Sequence, residues 1–462
     1  MKTKHWKKLK NSAKPLPSPS ITDVADLGLD TIFTTITRKA GQSPSHTLRF
    51  ESVLISCVGC VSWFLFAGVF LLAASGAYTA RAATHSPDDI VLGMSTVFSG
   101  PAAALGKDMR QGVLAGIERA NRAGGVHGRR LHLIALDDGY EPTRTAPNMR
   151  QLIEKENVLA VIGNVGTPTA VAAIPIANEQ KTLLFAPFTG AGVLRKNPPD
   201  RYVINFRASY AEETGAMVDA LIDGAGLRVE DIAVFTQRDA YGDAGYVGTL
   251  AALKRHGLTN ENAVLHVRYE RNTLAVENAL ASLLYAPREP RAIVMVGAYA
   301  PCAKFIQLAH EAELKATFLN VSFVGSQSLA TDLGSLPARV IVTQVVPHPL
   351  DAQVPIVREY LADLKAFDAE ARPGFGVLEG YLAARVLLLA LEKIPGQPTR
   401  EGLIDVLEGL GEFDPGLGRP LRLGPKDHQA SHAIWPTILK DGAFVPFSWT
   451  TIKQLAAKET QP

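Results

Sequence analysis

Cysteine is scarce, with three in 462 residues. Two of them, Cys57 and Cys60, share one apolar stretch, and Cys302 stands alone in the main body. A disulfide framework is thereby excluded, and folding must rest on a buried core. An excess of charge of one sign is missing too. The formal net charge is +2, which gives no case for nucleic-acid binding by the whole chain. Much of the basic surplus sits in an N-terminal tail with Lys2, Lys4, Lys7, Lys8, Lys10 and Lys14. Reaction-centre motifs are lacking as well. The chain has no G-x-S-x-G elbow, no H-E-x-x-H and no acid pair placed for general acid–base work. His310-Glu311-Ala312-Glu313 lacks the second histidine of a zinc helix. His428 and His432 lie four apart in a loop flanked by Gly and Pro, and read as a solvated pair. The expectation is a protein that is no enzyme and carries neither cofactor nor metal.

Charge is also missing from Ser52 to Ala80, with basic residues before it and Ala80-Arg81-Ala82-Ala83 after it. This pattern fits a cleaved export signal or a retained membrane anchor, the basic side staying cytoplasmic. Cys57-Val58-Gly59-Cys60 lies inside this stretch and reads as apolar filler, since a redox C-x-x-C needs a folded context. The preceding residues 1–51, rich in Lys, Ser, Pro and Thr, read as a disordered prefix.

From Ile90 onward, apolar strand-like runs alternate with helix-like runs. Strands are expected at 90–95, 131–136, 159–162, 183–186 and 202–206, with helices at 105–122, 147–155 and 170–180 between them. A second block repeats the pattern, with strands at 232–235, 264–269, 292–296 and 318–324 and helices at 214–221, 244–256, 274–284 and 302–312. Strand 340–345 then leads to helices at 354–367, 377–394 and 403–410, a strand at 420–423 and a hairpin, 434–439 with 443–447. Alternating strands and helices make an α/β protein with parallel sheets covered on both faces, here in two similar lobes.

Ligands of such sheets sit at the carboxyl ends of the strands. Those ends carry Ser99-Gly100-Pro101, the turn Gly163-Asn164-Val165-Gly166-Thr167, and Ala186-Pro187-Phe188-Thr189-Gly190-Ala191. In the second block they carry Asp239-Ala240-Tyr241-Gly242-Asp243, Gly297-Ala298-Tyr299 and Gly325-Ser326-Gln327. The 163–167 turn is no phosphate loop, because no Lys stands between Gly163 and Gln180. Its G-x-x-G spacing is not the dinucleotide fingerprint either. Hydroxyls, bare amides and aromatics at these ends describe a site that grips a ligand. A Thr-capped helix with no guest is the plainer reading of the turn.

At these residues the body resembles the periplasmic binding proteins of ABC importers, of the leucine/isoleucine/valine-binding type. The likeness is carried by Ser99-Gly100-Pro101…Gly106, by Asn121-Arg122-Ala123-Gly124-Gly125-Val126-His127-Gly128-Arg129 and by Asp137-Asp138. It continues through Ile162-Gly163…Thr167, the 186–191 segment, Tyr241-Gly242, Gly297-Ala298-Tyr299 and Phe323-Val324-Gly325, and covers residues 88–450. The single motifs are weak, but their order and spacing together are specific.

The resemblance implies a type I two-lobed fold with a hinge of three chain crossings, near Phe206-Arg207, near 345–347 and before Ile434. Residues 84–206 with 346–433 would form lobe 1, residues 207–345 with 434–450 lobe 2, and 451–462 a tail. It implies a small-molecule ligand, an amino acid or related carboxylate, and delivery to an ABC permease of the inner membrane from the periplasm. Thr167 and Phe188-Thr189-Gly190 would hold a carboxylate, Tyr241 and Tyr299 would close over it, and Ser99 and Leu105 would line the first loop. Two positions depart from the family. Gln327 stands where the branched-chain amino acid binders have an acid for the ammonium group, and Leu105 replaces an aromatic. Either the ligand lacks an amino group, as an aromatic or keto acid does, or Asp239 or Asp243 supplies the charge. A membrane-anchored ligand sensor is the alternative use of the same fold.

Overall fold

Runs in which every side chain is apolar make strands buried on both faces. In Ala160–Ile162, Leu183–Phe185 and Ala292–Val296 every residue is buried. The computed structural model of the protein describes Ser86 and residues 88–457. The basic prefix, the apolar 52–80 stretch with its two cysteines, and the end of the tail lie outside the described residues.

The first sheet holds β1 (Ile90–Thr96), β2 (Leu131–Asp137), β3 (Ala160–Ile162), β4 (Leu183–Phe185) and β5 (Val203–Ile204). Its order is β2-β1-β3-β4-β5 and every pair is parallel. Its helices are α1 (Ala103–Arg122), α2 (Pro142–Arg150) and α3 (Thr167–Glu179). The second block begins with helix α4 (Tyr210–Asp219), and its strands are β6 (Ile232–Gln237), β7 (His266–Tyr269), β8 (Ala292–Val296), β9 (Thr317–Asn320) and β10 (Arg339–Gln344). Helices α5 (Ala240–Arg255), α6 (Glu277–Leu284), α7 (Tyr299–Glu311) and α8 (Ser326–Leu333) alternate with these strands.

Three further helices follow: α9 (Pro355–Phe367), α10 (Phe375–Leu391) and α11 (Arg400–Glu408). A small antiparallel pair, β11 (Gly411–Phe413) with β12 (Leu421–Leu423), precedes the hairpin β13 (Trp435–Lys440) and β14 (Ala443–Pro446). The hairpin turns at Asp441 and Gly442, both at positive φ, as a two-residue hairpin turn requires. The second sheet runs β14-β13-β10-β9-β8-β6-β7, parallel except for its last two strands.

The chain therefore passes between the sheets after β5, after β10 and before β13. The first and third passages lie side by side. Asn205 N donates to His428 O at 2.7 Å, Ala430 N to Asn205 O at 2.9 Å and Ser431 N to Phe206 O at 2.9 Å. Helix α10 lies along α1 with no side chain between them at three places. A Cβ on Gly112 would sit 1.9 Å from Val377 O, one on Gly380 2.3 Å from Met109 O, and one on Gly116 2.7 Å from Ala384 Cβ. One apolar core joins the first sheet, α10 and the facing side of the second sheet. Another fills the far side of the second sheet beneath α6, α7 and α8.

Several elements differ from the sequence reading. The strand expected over 318–324 stops at Asn320. A 3-10 turn, Ser322–Val324, follows it, and Gly325 at φ 82° opens α8. The helix expected at 147–155 begins at Pro142, and its last turn widens to a π-helix at Gln151–Lys155. Helix α11 begins at Arg400 because Thr399 caps it, accepting from Gly402 N. The pairing of 420–423 with a strand at 411–413 was not foreseen.

Candidate ligand-binding site

Both sheets reverse strand order, the first between β1 and β3 and the second between β6 and β8. A crevice opens at such a point, outside the carboxyl ends of the strands. The loops after β3 and β4 meet there. Val165 bridges to Phe188, and Phe188 N donates to Asn164 O at 2.7 Å. Thr167 is the first residue of α3, not its cap. Gly166 holds the cap position at φ 104°, with no side-chain cap bond. Freed from capping, the Thr167 hydroxyl meets the Thr189 hydroxyl at 2.7 Å, and both side chains are buried. Ala191 N reaches the Thr189 hydroxyl at 3.3 Å. Gly190 passes so close to Tyr210 that a Cβ would lie 2.7 Å from its backbone nitrogen.

From the second sheet, Tyr241 is fully buried and its hydroxyl donates to Gly297 O at 3.3 Å. Its ring packs on Tyr210 at 5.3 Å and on Phe323 at 4.5 Å. Phe323 in turn meets Phe188 of the first block at 5.5 Å. Tyr299 opens α7 and its hydroxyl takes Ala104 N at 3.5 Å, next to Leu105. Leu105 is buried, and a Cβ on Gly325 would meet it at 2.7 Å. Leu105, Thr167, Phe188, Thr189, Gly190, Tyr241 and Tyr299 thus belong to one contact region between the sheet ends.

Ser99 and Gln327 stand apart from it. Ser99 is exposed and donates to Asp137 Oδ2 at 2.6 Å. Burial alone would raise the Asp137 carboxyl. That bond, the Phe98 and Gly139 amides and Arg144 instead hold it well below the usual carboxylate range. Gln327 is exposed on α8, one residue beyond Ser326, which turns inward to accept from Gln344 Nε2 at 2.8 Å. The two acids weighed as substitutes are engaged elsewhere. Asp239 caps α5, accepting from the Tyr241 and Gly242 amides, and also takes Gln237 and Arg271. Asp243 is exposed and paired with Arg268.

Four buried residues of this region were missed by the strand-end reading. Tyr140, at φ 63° just after β2, lies against Phe323 and accepts from Gln237 Nε2 at 3.3 Å. A Cβ on Gly166 would strike its ring at 2.1 Å. Burial drives the phenols of Tyr140 and Tyr241 well above their ordinary value, so both are neutral groups. The Asp138-Gly139-Tyr140 sequence at a strand end was the available signal for Tyr140. Arg207, at the first crossing, is fully buried, with its guanidinium 4.6 Å from the Phe188 ring centre. It donates to Ser322 Oγ, and its Nε lies 3.4 Å from Glu379 Oε1 of α10. Glu213 of α4 accepts from Ser322 N, Ser322 Oγ and Thr343 Oγ1. Glu379 lies far along the chain from Arg207 and Glu213, and no local pattern marks any of the three.

The histidine pair is not solvated as read. His428 is buried, its Nδ1 2.8 Å from Val203 O and its Nε2 3.1 Å from Glu408. His432 is the exposed member, beside Glu212 at 2.6 Å. Among the described residues no group of His, Cys, Asp or Glu is arranged to hold a metal. A cavity of about 360 Å³ opens at the opposite, N-terminal edge of β1, lined by Asp89, Arg129, Asn157 and Arg400 among others. It lies away from the strand ends that the switch points define.

Comparison with known proteins identifies the family and agrees with the fold. The chain belongs to the periplasmic binding protein family, whose model matches residues 89–443. It is 27% identical over 344 residues to the Leu/Ile/Val-binding protein homolog 7 of Brucella abortus (strain 2308), covering 71% of this chain and 82% of that protein. It is 25% identical to the leucine-, isoleucine-, valine-, threonine-, and alanine-binding protein of Pseudomonas aeruginosa, covering 69% and 82%. Among solved structures, a possible leucine/isoleucine/valine-binding protein from Rhodopirellula baltica SH 1 is 49% identical, with a TM-score of 0.76, covering 79% of this chain and 98% of that one. A valine-bound branched-chain amino acid ABC transporter protein from Thermus thermophilus shares the fold, at TM-score 0.69 and 17% identity, covering 78% and 95%.

Proposed function

We propose that the protein is an exported solute-binding protein. It captures an amino acid or related small carboxylate between the two sheets and delivers it to an ABC permease from the periplasm. The observation that carries this reading is the Thr167–Thr189 hydroxyl pair at the β1/β3 switch point, next to Phe188, on which Phe323 and then Tyr241 pack. Two hydroxyls and nearby amides satisfy a carboxylate through charge-assisted hydrogen bonds without a buried counter-ion. The Leu/Ile/Val-binding relatives support the same ligand class. We read the region as a site that binds without turnover, in keeping with a family of binding proteins. The three chain passages between the sheets would serve as the hinge, and closure about such a hinge is the motion of this class.

The test is native mass spectrometry of the purified body, followed by calorimetry with what co-purifies. A small carboxylate retained in equimolar amount supports the reading. Retention of no carboxylate, with no binding across a panel of amino and keto acids, refutes it. For the destination, fractionation should find the protein in the periplasm or tethered to the inner membrane.

A further inference from the structure

Gln327 is exposed and Asp239 and Asp243 are engaged elsewhere, so an ammonium group on the ligand would need another acid. Five carboxylates are buried among the described residues: Asp138, Glu213, Asp231, Asp363 and Glu379. Four of them accept hydrogen bonds. Asp138 takes Ser95 Oγ, Thr145 Oγ1 and Tyr140 N. Glu213 takes the Ser322 and Thr343 groups, Asp231 takes Arg228 N, and Asp363 takes Tyr381, Arg119 and Arg122. The ion-pair partner of Glu379 is Arg207, with Nε at 3.4 Å, and the charges of Glu213 and Arg195 act on it as well. Arg207 is equally under-used. It is fully buried, yet its Nε and Nη1 make no hydrogen bond.

A buried ion pair of this kind is costly unless further hydrogen bonds satisfy both partners. Its position says what could do so. The guanidinium lies on Phe188, whose chain neighbour Thr189 carries half of the hydroxyl pair. It also touches Ser322 in the turn after β9, so Arg207 links Glu379 to the loops that carry the proposed site.

Resting on that reading of the site, we propose that Glu379, oriented by Arg207, is the acceptor for a ligand ammonium group. The ligand is then an amino acid, not its deaminated counterpart. The acid comes from α10, on the first-sheet side, in place of the loop position held by Gln327. Burial raises the Glu379 carboxyl to about 7, with Arg207 and Arg195 lowering it and Glu213 raising it. At neutral pH the empty site therefore holds part of a proton, and an arriving ammonium displaces it to solvent.

Calorimetry on the unmodified protein with the twenty amino acids and the matching 2-keto acids tests this. At least one amino acid should bind 100-fold or more tighter than its keto acid. Its binding heat should vary with the ionisation enthalpy of the buffer, as proton release requires, while that of the keto acid should not. Glu379→Gln should weaken the amino acid at least 30-fold and leave keto acid binding within twofold. Keto acids binding as tightly as amino acids overturn the assignment while leaving the solute-binding reading intact. So does a variant that weakens both ligands equally, because that marks a structural role. Binding of no amino acid overturns it too, and the absence of any bound carboxylate removes the underlying reading with it. The measurements on the unmodified chain decide the matter even if the variant fails to fold.

Discussion

Thr167 and Thr189 hold each other's hydroxyls in a buried place, and on the proposed reading each would turn to a carboxylate when one arrives. Thr167→Val keeps the shape and removes one donor. Affinity for the co-purified ligand should fall about tenfold or more, the worth of roughly one hydrogen bond to a charged group. Calorimetry measures this, with thermal melts as the control for folding. Glu379 makes a separate prediction for the empty protein. Its native value, about 7, lies above its ordinary 4.5, so the native state binds the extra proton. The stabilisation from that proton is complete below the ordinary value and is lost as pH rises through about 7. Glu379→Gln mimics the protonated side chain, so its stability should fall less between pH 5 and pH 8, by up to about 3 kcal/mol. Urea melts of both proteins at the two pH values show whether the difference exists. That the loops of Thr167, Phe188, Tyr241 and Tyr299 gather at the strand ends was readable because strand ends are local features. Gln327 misled because Gly325 at positive φ starts a helix that turns Ser326, not Gln327, inward. Arg207 and Glu379 were illegible as a pair because only the tertiary crossing brings them together.

At the scale of elements, alternation of apolar runs with helical spacing was enough to place most strands and helices. The errors cluster where a side chain outside the period decides the boundary, as Thr399 does for α11. The α1–α10 packing was not readable, since Gly112, Gly116 and Gly380 look like ordinary helix glycines until the partner helix is known. Gly112→Ala drives a methyl group into Val377 O. It should destabilise the protein by about 2–4 kcal/mol despite the better helix propensity of alanine. Urea unfolding checks the sign. A gain in stability would mean that the helices can separate at little cost. Helix α4 offers a milder case. Its cap, Ser209, accepts from Glu212 N while Glu212 reaches back to Ser209 N, so Ser209→Ala should cost about 1 kcal/mol.

At the scale of the molecule, the sheet ends touch along one continuous line. Arg271 pairs with Glu141 at 2.7 Å, Asn272 Nδ2 donates to Gly139 O at 3.2 Å and to Glu141 at 2.6 Å, and Gln237 reaches Tyr140. These contacts join the loop after β2 to the loop after β7 and hold the two ends together. Arg271→Ala should therefore increase the radius of gyration of the empty protein in small-angle scattering. It should also weaken ligand binding by the fall in the closed fraction. Because the pair is partly solvated, high salt should reproduce part of the effect on the parent chain. Unchanged scattering and affinity would show that the line is held by its aromatic contacts alone. The overall two-sheet plan was legible from the sequence because the alternating pattern occurs twice. The packing of α10 against α1 carries one more consequence, for the order in which the chain is made. The groove on α1 that accepts α10 is synthesised ~270 residues before its filling, and closing so long a loop is entropically slow. An emerging chain therefore presents a half-built first layer until nearly the whole protein has been translated. Folding is late by construction, which would suit a polypeptide threaded across a membrane, as the proposed export requires.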